Sequence, residues 1–493
     1  MCIFHLPNKK PVEAEEFNSR LLAEIKRMEE DANLDMIDLS GFRFPEPSCK
    51  FPSGTRFEKA ISFREALFEG KVDFSRAEFS GPANFCDAKF IEGAIFLRTI
   101  FSGDTTFDHT ELGDTSFIES VFLSGASFRE VKFGYASFND AKFLLGADFT
   151  YTEFSQITDF SSAKFSGDTA FSHARFLGFT LFIYSEFSGS VTFERAKFSA
   201  FVTFEKAKFS GWSTSFFESE FSGDVNFFES EFLSHAVFNR SKVACLVTFK
   251  ATIFQTKDTQ ILFSPINQYT HFEEIKVESP GEVRFEGGVC MSRISLHYAD
   301  IRRFSFLDVK WGRLRSRASI MEHGILEERK RRSKNEKSIL PDLTPEHVQQ
   351  IYVRLRRNLE RGAGRYPEAG DFFINEKEVR TLILQEGRRW PPAENLPEWL
   401  ILKVYGSLAL YGESIMRPVF WTAVTIFGFA ALKIVAFRLQ TAGAKPFLDF
   451  LMESLMAFFQ MRSEPGLDII ERLVSVPILG SLFIALKRKF ERR

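Results

Sequence analysis

The chain has 493 residues, of which 26% are charged and 15% are aromatic, and its formal net charge is −2. This length indicates several domains. A net charge near zero does not identify the class of binding partner. The five cysteines have neither framework nor metal-ligand spacing, which excludes a disulfide scaffold and indicates a reducing compartment.

Residues 1–50 are expected to form an N-terminal cap on the part of the chain that follows. Met1–Glu30 is charged and helix-like, and it lacks the apolar segment of a signal peptide. A helix is predicted over Glu13–Asp31. We therefore expect this part of the chain in the cytoplasm.

Phenylalanine recurs at fixed spacing through residues 51–310. One series advances by eleven residues at a time and contains Phe138, Phe149, Phe160, Phe171, Phe182, Phe193 and Phe204. A second series, from Phe143 to Phe209, lies between the members of the first, so that intervals of five and six alternate. A small residue stands two positions before nearly every Phe. Neither a helix nor an ordinary strand has this period, which indicates a solenoid.

Tandem small-x-Phe-x-x units from about Phe57 to Phe254 resemble the pentapeptide-repeat family. The resemblance implies an all-β, right-handed quadrilateral β-helix in which each five-residue unit forms one side of a square coil. With two extra residues, four units make a coil of about 22 residues. Two opposite columns of stacked rings follow from this length: Phe138, Phe160, Phe182 and Phe204 in one, and Phe149, Phe171 and Phe193 in the other.

Glycines such as Gly167 and Gly189 accompany the six-residue intervals. They are expected to adopt the backbone angles of a bulged corner. A two-sided solenoid with eleven residues per coil is the alternative geometry. It is disfavoured because so thin a coil needs cross-links. Beyond Phe254 the register weakens, and Phe285 and Phe306 are expected in final, irregular coils.

Two polar segments precede the apolar end of the chain. Residues 311–343 are rich in Arg, Lys and Glu and predict a solvated linker or helix, with contact to a membrane surface or nucleic acid as the alternative. Residues 344–390 predict a helical hairpin that resembles one tetratricopeptide-type repeat and turns at Gly362-Ala363-Gly364. A single hairpin of this kind is explained by the packing of its two helices, because the same residues are needed for that packing as for a peptide-binding site. Asp371 and Glu376 are then expected to be solvated charges.

Residues 391–493 are expected to form a membrane domain. Transmembrane helices are predicted at about 416–437 and about 469–487, with an amphipathic helix at about 446–461 between them. Lys433 is close to the end of the first span and is expected to reach the head groups. Basic residues precede the first span and follow the second, which predicts that both termini lie in the cytoplasm. The plasma membrane of a prokaryote is the expected location of this transmembrane hairpin.

The block Tyr411-Gly412-Glu413-Ser414, the pair Glu471-Arg472 and the terminal run 486–490 are similar to a group of pentapeptide-repeat proteins with an ion-channel-like carboxy-terminal region. The resemblance implies a two-transmembrane pore module. Two helices cannot enclose a pore, so a homo-oligomer would be required. The loop at 460–466 lacks the Thr-Val-Gly-Tyr-Gly sequence of potassium-channel filters, so the resemblance does not imply selectivity for potassium. The expected pore-lining residues are Asp449, Glu453, Gln460 and Glu464.

The acids Asp449 and Glu453 also permit a different interpretation, as the water-facing side of an interfacial helix in a protein that does not conduct ions.

Catalysis has no support, because the eight histidines lack metal-ligand spacing and no phosphate-binding glycine motif or nucleophile-base pair is found. No enzyme activity, metal or cofactor is therefore predicted.

The predicted function is a membrane-anchored, channel-like oligomer with a cytoplasmic solenoid for interaction or sensing. The expected partners are the lipid bilayer, further copies of the chain and an unidentified cytoplasmic protein. A non-conducting, membrane-tethered scaffold is the alternative. Inhibition of a DNA-binding enzyme by DNA mimicry comes third and nucleic acid is not expected, because DNA mimicry needs a continuous acidic stripe. The outward residues before Phe instead mix both signs: Lys142, Glu153, Lys164, Arg175, Glu186 and Lys197.

Overall fold

The computed structural model divides into two compact units, Met1–Gly312 and Arg313–Arg493. The residues that it describes are 11–44, 51–238, 240–244, 246–254, 259–261, 270–271, 276–277, 283–285, 291–297, 299, 301–306, 309–331, 343–361, 368–386, 388–440, 445–461 and 466–491.

The first unit begins with helix α1, Pro11–Glu30. Phe17 and Leu21 on this helix are buried, and the Phe17 ring meets Phe44 edge to face at 5.7 Å. Phe44 belongs to the first coil of the solenoid that follows. The helix thus lays its apolar side against an end of the solenoid, where unpaired strands and core would otherwise be exposed.

The solenoid has four parallel sheets of 10 to 13 short strands, and the chain visits the four faces in turn. Face 1 contains Met36–Asp38, Ala60–Ser62, Ala83–Asn84, Thr105–Thr106, Ala126–Ser127, Ala147–Asp148, Thr169–Ala170, Val191–Thr192, Ser213–Ser215, His235–Val237, Thr259–Ile261, Val283–Phe285 and Phe304–Phe306. Face 2 contains Arg43–Phe44, Leu67–Phe68, Lys89–Phe90, Glu111–Leu112, Lys132–Phe133, Glu153–Phe154, Arg175–Phe176, Lys197–Phe198, Glu220–Phe221 and Lys242–Val243.

The other two faces complete the square. Face 3 contains Val72–Asp73, Ala94–Ile95, Thr115–Ser116, Ala136–Ser137, Thr158–Asp159, Thr180–Leu181, Val202–Thr203, Val225–Asn226, Val247–Thr248, Thr270–His271 and Ile294–Ser295. Face 4 contains Arg56–Phe57, Glu78–Phe79, Ile100–Phe101, Val121–Phe122, Lys142–Phe143, Lys164–Phe165, Glu186–Phe187, Lys208–Phe209, Glu231–Phe232, Ile253–Phe254 and Lys276–Val277. Two short 3-10 helices, Met291–Arg293 and Ile301–Arg303, lie near the end.

Strand pairing gives the length of the coil. Lys142 pairs with Lys164, and the next coil repeats this offset of 22 residues from Lys164 to Glu186. The offset is 21 residues from Ala94 to Thr115, so the coil length varies slightly. The predicted quadrilateral coil is therefore confirmed, and the two-sided coil of eleven residues is wrong.

Phenylalanine rings fill the core in the predicted columns. Phe171 is fully buried, and its ring stacks on Phe149 and on Phe193 with 4.9 Å between centroids in both cases. The column of Phe160 and Phe182 meets it edge to face, at 5.4 and 5.7 Å. Stacked rings along the axis and edge-to-face rings across it are both favourable aromatic geometries. Phe285 and Phe306 are buried in the final coils as expected.

The predicted role of the corner glycines is wrong. The left-handed backbone angles belong to other residues, including Tyr151 (φ 61°), His173 (φ 59°) and Arg195 (φ 55°), each two positions after a core Phe. Gly189 has no such angle. A Cβ atom there would lie 2.2 Å from the carbonyl carbon of Gly167. Glycine is thus required because successive coils approach closely at this corner, not because the backbone turns left-handed.

This difference can be tested with a matched pair of alanine substitutions. At Gly189 the new Cβ meets backbone of the preceding coil, whereas at Gly125 the nearest atom is the Asp104 side chain at 3.3 Å. We expect Gly189→Ala to lower the free energy of unfolding by about 1–3 kcal/mol, and Gly125→Ala to cost clearly less. Urea unfolding of the full chain in detergent measures both. Equal costs would contradict the close-approach explanation.

The second unit is mainly helical. A two-stranded sheet, Gly312–Leu314 and Arg317–Ser319, comes just before its helices. The helices are α2 (Met321–Arg331), α3 (Pro345–Arg361), α4 (Glu368–Gln385), α5 (Leu396–Ala409), α6 (Met416–Gln440), α7 (Phe447–Phe458) and α8 (Leu467–Glu491), with a 3-10 turn at Leu410–Gly412.

Helices α3 and α4 pack against each other as a hairpin. Buried Tyr352 is at its centre, where the hydroxyl lies 2.9 Å from His323 Nδ1 and 3.0 Å from Ser319 Oγ. Burial raises the pKa of Tyr352, so this hydroxyl stays neutral. The Gly362-Ala363-Gly364 turn predicted from the sequence lies outside the described residues.

The prediction that two acids of this hairpin are solvated is wrong for Glu376. Its side chain is buried and accepts a 3.1 Å hydrogen bond from Arg356 Nε. Half-buried Asp371 accepts the backbone N–H of Ala318 at 2.7 Å. Both carboxylates therefore stabilise the packing of the unit, since buried charge needs a partner.

Candidate functional site

Helices α6 and α8 are long and apolar enough to cross a membrane, over Met416–Gln440 and Leu467–Arg488. Only 22% and 28% of their most apolar windows are buried, whereas the core helix of a soluble protein would be mostly buried. The exposed side chains are themselves apolar and large, among them Phe427, Leu432 and Val435 on α6 and Leu473, Val476 and Phe483 on α8. Such surfaces suit lipid.

Helix α7 runs back along α6. Near its start, Phe450 contacts Phe437 at 5.5 Å between ring centroids. At its end, Phe458 packs in one cluster with Ile426 of α6 and Ile478 of α8. Residue numbers on α6 fall as those on α7 rise, so the two helices are antiparallel.

The end of α7 lies beside the middle of the two long helices. Helix α6 has 25 residues and is about 37 Å long, and Ile426 lies about 20 Å from its Gln440 end. Phe458 contacts this level, near the middle of α6. Asp468 at the start of α8 lies beside Lys433, so α8 begins nearer to the Gln440 end of α6 than α7 ends; we call this the re-entrant position of α7.

The residues that end α7 combine polar contacts with exposure. Gln460 has a left-handed backbone (φ 64°), and its amide donates to Ser475 Oγ at 2.8 Å. Its carbonyl oxygen accepts from Arg472 Nε at 2.8 Å. The neighbouring Phe459 and Met461 are 45% and 79% exposed. A fixed, non-helical turn with exposed side chains thus lies alongside the spans.

A buried ionic cluster joins the three helices. Lys433 Nζ on α6 lies 2.7 Å from Asp468 Oδ1 and 2.9 Å from Glu471 Oε2, both on α8. The Ser454 hydroxyl on α7 donates to the other oxygen of Glu471. The Lys433 side chain is 8% exposed and that of Glu471 is fully buried. One ammonium and two carboxylates leave the cluster with a formal charge of −1.

The prediction that Lys433 reaches the head groups is therefore wrong. A lysine extends toward water when no partner is near, but here two carboxylates are within hydrogen-bond distance. The sequence contained a signal that could have located this partner. Asp468 and Glu471 are three residues apart at the start of an apolar helix, so they share one face.

The four predicted pore-lining residues have different surroundings. Asp449 is exposed on α7. Glu453, one turn later, is paired with Lys445, and its side chain is 18% exposed. Gln460 lies in the turn that ends α7, and Glu464 falls outside the described residues. The described members of this set thus follow α7 from its first turn to its deep end, and Ser454, next to Glu453 in the chain, points into the ionic cluster.

A strained corner between α5 and α6 is held by the last helix. Leu410, Tyr411 and Gly412 all have left-handed backbone angles, at φ 50°, 59° and 86°. Arg488 Nη1 on α8 donates to the Tyr411 carbonyl at 3.1 Å and to Glu413 at 3.0 Å. Its guanidinium also stacks on a ring of α4, because it lies 3.9 Å from the Phe373 centroid. Burial raises the pKa of Tyr411 to about 12.

The solenoid carries its own concave surface on face 1. This groove has a volume of about 880 Å³, and all of its charged lining residues are acidic. Two of the carboxylates hold successive coils together, since Asp104 accepts the N–H of Gly125 at 3.1 Å and Asp168 accepts that of Ser190 at 2.8 Å. The acids thus have a structural role besides giving the groove its charge.

Faces 2 and 4 carry ladders of opposite charges. Glu153 pairs with Arg175 at 2.9 Å on face 2, and Lys164 pairs with Glu186 at 3.0 Å on face 4. Each such exposed pair adds little to stability. The ladders mix both signs of charge on each face, so neither face is a continuous acidic stripe.

A protein-family model described as pentapeptide repeats (9 copies) matches residues 53–91 and 63–111. No curated protein and no solved structure matches the chain. Among the described residues, no group of three or more His, Cys, Asp or Glu side chains could hold a metal ion. The parallel coils and stacked Phe rings continue beyond the matched residues to Phe254. The protein is therefore a pentapeptide-repeat solenoid followed by helices, two of which are long and apolar enough to cross a membrane.

Proposed function

We propose that several copies of this chain assemble in a membrane around an ion-conducting pore, with the solenoid in the cytoplasm as an interaction or sensing surface. The observation that carries the proposal is the re-entrant position of α7. Its end contacts Ile426, near the middle of α6, and an exposed, non-helical turn at Gln460 follows it.

This position has a physical consequence in lipid. Non-helical backbone within the hydrocarbon region is tolerated only where protein buries it or where it lines a water-filled cavity. In a single chain Phe459, Gln460 and Met461 are exposed. In an oligomer around a water-filled path, the exposed turn at the end of α7 contacts water. In a single membrane-anchored chain, the same turn would contact lipid tails.

The charges along α7 favour cations in such a path. Asp449 is exposed, and Glu453 is one turn away from it. The carboxyl end of α7 carries partial negative charge from the helix dipole and lies near the middle of the spans. Carboxylates and dipoles in a narrow opening concentrate cations. Asp449, Glu453, Gln460 and Glu464 are accordingly proposed to line the path.

A pair of cysteine substitutions tests this proposal. Met461 (79% exposed, in the deep turn) and Leu439 (82% exposed, near the end of α6) are both apolar and accessible in one chain. We expect a water-soluble thiosulfonate reagent to suppress most of the current of Met461→Cys, because a wet pore lets the thiol ionise and react. Leu439→Cys faces lipid and should keep its current. Planar-bilayer recording of the purified protein measures both.

Three outcomes contradict the proposal. Mass measurement of the detergent-extracted protein could show a monomer, a verified oligomer could carry no current, or both cysteine variants could respond equally. The first two would favour the alternative function, a non-conducting membrane-tethered scaffold. In that case the solenoid would still offer its acidic groove and its faces of mixed charge to a cytoplasmic protein.

DNA mimicry is the least favoured function. The charged ladders on faces 2 and 4 pair Glu153 with Arg175 and Lys164 with Glu186, so duplex-like negative charge does not extend along either face.

Both termini are proposed to lie in the cytoplasm, because basic residues precede the first span and follow the second.

A further inference from the structure

Helix α5, which precedes the first span, has two apolar faces. On one face Leu402 and Tyr405 pack against the buried cluster formed by Phe373, Ile374 and Tyr411. This contact explains why the helix is held in the second unit. The other apolar face has no covering group among the described residues.

The second face is a continuous stripe. Leu396, Leu400 and Val404 are spaced four residues apart and are 36%, 46% and 48% exposed. Ile401, three residues before Val404 and therefore beside it on the helix surface, is 67% exposed. Residues three or four apart are neighbours on a helix, so these four side chains form a single apolar surface. We call it the outer face of α5.

The rim of the outer face is aromatic and basic. Trp390 is 64% exposed and lies 5.5 Å from the Trp399 ring. Lys403 Nζ lies 5.7 Å from the Trp399 ring, and Arg388 and Arg389 are exposed just before the helix. An acid of α5, Glu398, is paired with Arg380 at 2.8 Å. The three bases Arg388, Arg389 and Lys403 exceed the two other exposed acids, Glu386 and Glu394, so the charge beside the outer face is net positive.

The end of α5 is joined to the start of the first span. Trp421 Nε1 and Arg417 Nη1 on α6 donate to the carbonyl oxygens of Ser407 and Gly406, both at 3.2 Å. Any membrane that contains α6 thus reaches the end of α5. Tryptophan and basic side chains are typical of the boundary between lipid and water.

We propose that α5 lies on the cytoplasmic membrane surface, with its outer face in the boundary between head groups and acyl chains. Anionic head groups would surround Arg388, Arg389 and Lys403. Lipid suits this face better than a protein partner, because a membrane that contains α6 extends to the end of α5. The inference rests on the proposed membrane location of α6 and α8, and it adds a lipid-binding surface to it.

Fluorescent labels on single cysteines test this inference in the full chain. The five native cysteines are first replaced by serine, and Ile401→Cys or Val404→Cys is labelled with an environment-sensitive fluorophore. The protein is reconstituted in vesicles of phosphatidylcholine and phosphatidylglycerol. Phe427→Cys, on the exposed side of α6, is the membrane control, and Lys142→Cys, exposed on the solenoid, is the water control.

We expect spin-labelled lipids with a shallow label to quench the fluorophore at position 401, while iodide in the buffer has little effect. Position 427 should respond to a deep lipid label, and position 142 to iodide alone. Quenching at 427 but only iodide quenching at 401 would overturn the lipid contact of α5. Protection of 401 from both quenchers would show that protein covers it and would also overturn the inference. Absence of lipid quenching at 427 would instead contradict the membrane location itself.

Discussion

Replacing Phe171 by alanine is expected to lower the free energy of unfolding by about 3–5 kcal/mol. The ring is fully buried and stacks at 4.9 Å on one ring above and one below. Two edge-to-face neighbours, Phe160 and Phe182, close its sides. Since strands of successive coils hold the backbone in register, the core cannot collapse into the space left by the ring, so a cavity remains.

The matched control is a phenylalanine in the same coil that faces water. Phe179 is 55% exposed, and its ring lies 6.5 Å from Phe201 at a corner of the solenoid. We expect Phe179→Ala to cost less than about 1 kcal/mol, as for other surface substitutions. Urea unfolding of the full-length variants in detergent, followed by circular dichroism, compares them. Similar losses for both would mean that column packing does not determine stability.

Replacing Lys433 by methionine is expected to destabilise the helical unit by about 3–5 kcal/mol. The substitution keeps the length of the side chain but removes the ammonium between Asp468 and Glu471. Two buried carboxylates would then face each other without a cation. Breaking a buried ionic group by removing one partner is costly because the remaining charge stays desolvated.

Glu471→Gln should have a much smaller effect. Lys433 keeps its 2.7 Å contact with Asp468, and the new amide can accept from Lys433 through its oxygen while its NH2 group donates to the Ser454 hydroxyl oxygen. The cluster then has a formal charge of zero instead of −1. Thermal unfolding in detergent, followed by helical circular dichroism, measures the asymmetry. A Lys433→Met variant as stable as the parent would restore the interpretation in which the lysine reaches the head groups.

This cluster also bears on how α7 is kept in place. Ser454 on α7 bonds to Glu471, which in turn bonds to Lys433 on α6. The three helices therefore share one hydrogen-bonded network at the level where α7 enters between the spans. If α7 lines a pore, loss of the cluster should disturb conduction together with stability, whereas Phe171→Ala should affect the solenoid alone.

The solenoid could be predicted from the amino-acid sequence. A repeat with an interval of five or six residues places each Phe at a fixed position of the coil, so the contact of Phe149 with Phe171 follows from their offset. The first span could be predicted for an equally local reason, because length and apolar composition are properties of one segment. Regular offsets and uninterrupted apolar runs can both be counted along the chain.

Tertiary structure alone decided the features that join distant or irregular positions. The partners of Lys433 lie 35 and 38 residues later, with no repeat to indicate the pairing. The depth of α7 depends on Phe458 packing against both Ile426 and Ile478. The role of the corner glycines could not be predicted, because it depends on a contact between coils and the sequence shows only that the residue is small. Local pattern specifies which side of an element is apolar, and only packing specifies what covers that side.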